Sequence, residues 1–87
     1  MLFRLRGKLT AGMFPNERVV VIEDFEGHKY ALILPEDMVV VQGPDGLIEV
    51  RLVAQDKSRA LVRLPGEVMG PDRTVTVRKD QLEPVPA

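Results

Sequence analysis

The chain has 87 residues, 45% of them apolar, 29% charged and 5% aromatic, with 12 basic against 13 acidic side chains and no cysteine. That length holds one domain with a small core, and it leaves little room for a deep enzymatic cleft. Disulfide and thiol chemistry are excluded, a net charge of −1 excludes a chain that is basic throughout, and no apolar run reaches the roughly 18 residues that a spanning helix needs.

The first element is expected over residues 1–9, where Phe3, Leu5 and Leu9 alternate with Arg4, Arg6 and Lys8. A period of two is that of a half-buried strand. The same charged and apolar interleaving excludes a signal peptide and makes Met1 read as a genuine start, so a cytoplasmic location is expected. Residues 18–25 and 28–34 are rich in β-branched and aromatic types and meet across Glu26-Gly27, which predicts a hairpin. Residues 38–42 and 47–55 flank Gly43-Pro44-Asp45-Gly46, a second tight reversal, and the later arm sets Ile48, Val50, Leu52 and Ala54 on one face. Residues 59–64 and 73–79 repeat the alternation after a turn at Asp56–Ser58. Residues 47–64 are the longest stretch free of Gly and Pro and the one place for a rival helix, but their strict alternation favours two strands. Further punctuation falls at Gly12 to Pro15, Pro65-Gly66 and Gly70-Pro71.

The sum is six or seven short antiparallel strands forming an all-β domain over residues 1–83, with a Pro-rich tail over 84–87. A shift of 30 lays Val20, Ile22, Leu32 and Leu34-Pro35 over Val50, Leu52, Val62 and Leu64-Pro65, a weak internal repeat of one hairpin followed by Leu-Pro. Closure into a barrel removes exposed sheet edges, so a small barrel is expected.

The run Thr74-Val75-Thr76-Val77-Arg78-Lys79-Asp80-Gln81-Leu82-Glu83-Pro84 resembles the end of a small bacterial SH3-like barrel, with a strand, a short turn and a last apolar residue. The turns at Asp24–His28 and Gly43–Gly46 suit that fold too. The resemblance implies a fold and no function, and an OB-like barrel is the rival architecture. With no Trp and only Tyr30, the aromatic set by which eukaryotic SH3 domains hold proline-rich peptides is missing.

The catalytic inventory is one His, one Ser, one Tyr and three Thr. Ser58 sits in a turn without a nucleophile-elbow context, and no phosphate-binding glycine loop occurs, so no enzyme activity, small-molecule substrate or cofactor is expected. Asp24, Glu26 and His28, spaced by two about the first hairpin turn, are the one metal candidate. They read better as a solvated acidic turn, and no metal is expected.

Two binding readings remain. Val19-Val20-Val21-Ile22 and Met38-Val39-Val40-Val41 are apolar on both faces of their strands, whereas a small barrel has one interior. Either a loop such as Met13-Phe14 covers the outside or another copy or another protein does. The expected function is therefore a non-catalytic binding or assembly module, with Val39 and Val41 as outward contacts and Arg51 and Arg63 as a polar rim. The second reading is nucleic-acid binding by Arg4, Arg6, Lys8, Arg51, Arg63 and Arg78 on outward strand faces. It is weakened by an aromatic set (Phe3, Phe14, Phe25, Tyr30) expected to be consumed by the core.

Overall fold

A computed structural model describes residues 2–11, 14–65 and 74–85. It contains β1 (Leu2–Ala11), β2 (Glu17–Glu23), β3 (Lys29–Pro35), β4 (Val39–Gln42), β5 (Asp45–Gln55), β6 (Arg59–Arg63), β7 (Thr74–Arg78) and β8 (Leu82–Pro84). Single 3-10 turns precede β4 and β8, and no α-helix occurs among the described residues. All strands belong to one antiparallel sheet of order β3-β2-β1-β5-β6-β7, with β4 beside β5 and β8 beside β1, curled into a half-barrel. The molecule is thus all-β, with eight strands where the sequence suggests six or seven. The extra one is β8, whose three residues are too few to show an alternation. The finish of strand, 3-10 turn and short strand returning to β1 is compatible with the SH3-like resemblance. The Gly12, Gly66 and Gly70-Pro71 turns, a strand start at Arg73 and a cover from Met13 lie outside the described residues.

The long strands β1 and β5 run side by side from Leu2↔Arg51 to Lys8↔Asp45. Each has its other edge shared between two neighbours. β1 gives residues 3–5 to β8 and residues 8–11 to β2, while β5 gives its start to β4 and its end to β6. The changeover on β1 falls at Gly7, where a Cβ would stand 2.6 Å from Val20 Cγ1 and 2.7 Å from the Val21 carbonyl oxygen. Gly7 faces Gly46 across the ladder. The pair of glycines lets β2 press close over β1, and that close approach permits the sheet to curl.

Alternation fills the concave side with Leu5, Val20, Ile22, Leu32, Leu34, Val39, Ile48, Val50, Ala60, Val62, Leu64 and Val77. Each of these Leu, Val and Ile side chains contributes roughly 1.5–3 kcal/mol by leaving water. The core is aliphatic: only Phe3 among the aromatics packs against it, while Phe14, Phe25 and Tyr30 are exposed. The expectation that the core consumes the aromatics therefore holds for Phe3 and fails for Phe14, Phe25 and Tyr30, because Val, Leu and Ile from facing strands already fill so thin a shell.

Turn chemistry sets the registers. Gly43, at φ +60°, and Pro44 join Gln42 to its partner Asp45, so the reversal takes two residues and β5 starts at Asp45 rather than at residue 47. Gly27, at φ +89°, closes the β2–β3 loop after the Gly27 N–H donates to the Asp24 carbonyl. Between β5 and β6 the register slips at Val53, a β-bulge. The slip carries Ala54 out of the inward row of Ile48, Val50 and Leu52, so Ala54 is exposed. It also limits the internal repeat. The two hairpins bury corresponding residues, but Leu32 pairs with Val20 whereas Val62 pairs with Leu52, not Val50.

Candidate protein-contact surface

On β4 the apolar run divides by pleat. Val39, opposite Ile48, is 8% exposed and belongs to the core. Its assignment as an outward contact is thereby corrected. Val41 is 58% exposed but shares the inward-facing row with Val39, opposite Gly46, which has no side chain to pack against it. Val40 points the other way, onto the convex side, opposite Leu47. Leu47 is 2% exposed and lies outside the core cluster. It forms the floor of a shallow convex-side cleft lined by Met38, Val40 and Pro65, with Arg4, Asp37 and Glu49 at its borders. Met38 and Val40 remain about 40% exposed above that floor. This is an apolar centre with a charged margin, the layout of a protein-contact patch. Leu47 was legible in the sequence as an apolar residue on the face of Glu49 and Arg51, but only strand pairing brings Val40 beside it.

The arginines divide as well. Arg4, Arg6 and Lys8 do share the convex face of β1, and Arg51 stands directly opposite Arg63 between β5 and β6. Neither Arg51 nor Arg63 borders the Leu47 cleft. Arg78 lies further out, opposite Arg59. Arg6 is engaged by Glu83 and approaches Asp45 at 3.9 Å, and Arg78 Nε donates to Asp80 at 3.2 Å. A second cleft opens where β1 passes from β8 to β2, lined by Arg6, Lys8 and Lys29 with Glu23, Val21, Gly7 and Gln81. Lys29 carries no such role in the sequence reading, since it reaches this cleft only by the pairing of Glu23 with Lys29.

At the β2–β3 turn, Asp24 Oδ1 accepts from the Glu26 N–H at 2.9 Å and the His28 N–H at 2.8 Å, while Oδ2 accepts from the Tyr30 hydroxyl at 3.2 Å and lies 3.2 Å from His28 Nδ1. Desolvation opposes the charged form, but these hydrogen bonds together outweigh it and hold the carboxyl below its ordinary value. Asp24 thus closes the turn with lone pairs that a metal would need, and no group of three acids or histidines able to hold a metal occurs among the described residues. Beside it lie Phe25, with the Arg59 guanidinium 5.7 Å from its ring centroid, and the edge of β7. The Phe25 N–H donates to the Thr76 carbonyl at 2.8 Å, and Gln81 Nε2 to the Glu23 carbonyl at 3.0 Å. Those two bonds draw the open sides of the half-barrel together at one end. No described helix is long and apolar enough to cross a membrane.

Compared with protein-family models, curated proteins and solved structures, the chain finds no match.

Proposed function

We propose that the protein is a non-catalytic binding or assembly module that acts through protein–protein contacts on the convex side of its sheet. The observation that carries this reading is the patch of Met38 and Val40 over the buried Leu47, with Arg4, Asp37 and Glu49 at its margin. A lone exposed valine needs no explanation, but an apolar group floored by a fully covered leucine on the polar face of a small sheet does. In capture from native cell extract, the retained proteins are expected to survive nuclease treatment and to be lost with Val40→Asp, which stays folded. A retained set unaffected by Val40→Asp would reject the patch. Val39→Asp, one residue away, places a carboxylate in the core and is expected to unfold the protein outright.

The alternative is nucleic-acid binding, and one observation favours it: the cleft of Arg6, Lys8 and Lys29 beside Gly7, where backbone and cations face a common space. Exposed Phe25 and Tyr30 supply stacking faces, but Asp24 and Glu26 stand among them and repel phosphate. Retardation of single-stranded DNA that weakens steeply with salt, and that Lys8→Glu abolishes, is the result this alternative requires.

A further inference from the structure

β3 is an outermost strand of the sheet, and its backbone orientation follows from two bonds at its ends. The Asp24 N–H donates to the His28 carbonyl at 2.8 Å, and the Glu36 N–H to the Asn16 carbonyl at 2.9 Å. Bonded pairs alternate along an antiparallel ladder, so within the register Ile22↔Tyr30, Val20↔Leu32 and Arg18↔Leu34 are the bonded pairs. Lys29, Ala31 and Ile33 therefore turn their N–H and C=O groups to the open side, where no strand pairs among the described residues. The stretch Tyr30-Ala31-Leu32-Ile33-Leu34 carries no charge, and Ile33 is 42% exposed. Soluble proteins blunt such edges with charges, prolines or bulges. Here the only such devices are Lys29 and Pro35, one at each end.

We propose that β3 pairs antiparallel with β3 of a second copy across a twofold axis at Leu32, extending the sheet from one molecule into the next. The inference rests on the binding-module reading but uses a different surface from the Val40 patch. The strand is self-complementary. To keep inward side chains beside inward ones, paired residue numbers must add to an even sum, and a sum of 64 sets Leu32 on Leu32 of the other copy. Ala31 then meets Ile33, Tyr30 meets Leu34 and Lys29 meets Pro35. Both N–H and C=O groups of Ala31 and Ile33 are satisfied in each direction, and the Lys29 N–H finds the Pro35 carbonyl. Charge selects the same direction. Antiparallel pairing brings His28 and Lys29 of one copy beside Glu36 and Asp37 of the other, whereas parallel pairing sets acids against acids. At a net charge of −1 per chain, long-range repulsion is small. A contact of one seven-residue edge lies at the low end of interface size, so the dimer is a weak, concentration-dependent one.

Sedimentation and amide hydrogen exchange of the whole chain test this together. The expected mass rises from 9.7 kDa in dilute solution toward twice that value at about 1 mM. Over the same range the Ala31 and Ile33 amides become protected, while those of Thr74 and Thr76 on β7 do not change. Ala31→Pro, which removes an N–H that β2 does not use, and Ile33→Lys are both expected to remain monomeric with an unaltered circular dichroism spectrum. Val40→Asp is expected to dimerise like the parent. A protein monomeric at about 1 mM overturns the β3 dimer while the capture experiment on Val40 decides the broader reading separately. A dimer that persists in both β3 variants, or Ala31 and Ile33 amides protected equally at every concentration, overturns it too.

Discussion

β3 and β7 are the two outermost strands of the sheet, yet they end it in opposite ways. The outward groups of β7 belong to Thr74, Thr76 and Arg78, since the Lys79 N–H donates to the Ser58 carbonyl at 3.2 Å and fixes the alternation with β6. Two of these groups are already engaged within the chain: the Thr76 carbonyl by Phe25, and the Arg78 N–H by Gln81 Oε1 at 2.9 Å. Thr74, Thr76 and Arg78 put hydroxyls and a guanidinium on one face of that strand, while Val75 and Val77 pack toward the core. Among the described residues no such bond engages the outward backbone groups of Ala31 and Ile33 on β3, and residues 30–34 carry no charge. One edge has two of its outward backbone groups taken by the chain's own turns and the other has none taken among the described residues, an asymmetry that the proposed pairing would use.

The contrast depends on how the β2–β3 hairpin is seated, and Gly7 is the seat. A methyl group there would meet both Val20 Cγ1 and the Val21 backbone at under 3 Å, so no side-chain rotation relieves the clash. Gly7→Ala is expected to lift β2 and β3 from β1 at a cost of about 3 kcal/mol. Urea unfolding gives the magnitude. Hydrogen exchange gives the location, with protection lost first in β2 and β3 and retained in β5 to β7. An equal loss in both regions would mean that the hairpins are one cooperative unit and that the contrast between the edges has no local basis.

Much of this architecture is legible in residue order because it is local. The alternation of Phe3, Leu5 and Leu9, the Gly43-Pro44 reversal and the Asp56–Ser58 turn each declare themselves within a few positions. What escapes is set by pairing between distant segments. Val39 and Val40 look equivalent in sequence, and only the partners Ile48 and Leu47 separate core from surface. Ala54 fits its inward row until the Val53 bulge moves it. Phe25 and Tyr30 look like core residues by type, but they occupy a turn and an outer edge that the aliphatic interior does not need. The Leu47 patch escaped for the same reason, since the Met38–Val40 stretch and Pro65 approach it from two separate segments.

The turns of the β2–β3 and β5–β6 hairpins offer a finer comparison, because each is closed by an aspartate. Asp56, before β6, accepts from the Ser58 N–H at 3.0 Å and the Arg59 N–H at 2.8 Å, while its second oxygen takes Arg59 Nε and Nη2 at 3.0 and 2.9 Å. Hydrogen bonds from the Ser58 and Arg59 backbone, then from the Arg59 side chain, lower its pKa to about 2. A folded-state value below the unfolded one, which is near ~3.9, gives a contribution that is complete above about pH 4 and disappears as pH falls through about 2. Asp56→Asn keeps an oxygen for the two backbone donors but loses the charge facing Arg59. Its urea midpoint is therefore expected to lie below the parent's at pH 7, and the difference should close between pH 4 and 2. Asp24→Asn, before β3, should show a smaller difference of the same sign, since desolvation there offsets part of what the hydrogen bonds supply. A gap for Asp56→Asn as wide at pH 2 as at pH 7 would assign its effect to turn geometry rather than to the ion pair. The β5–β6 turn would then owe its closure to the Ser58 and Arg59 backbone bonds alone.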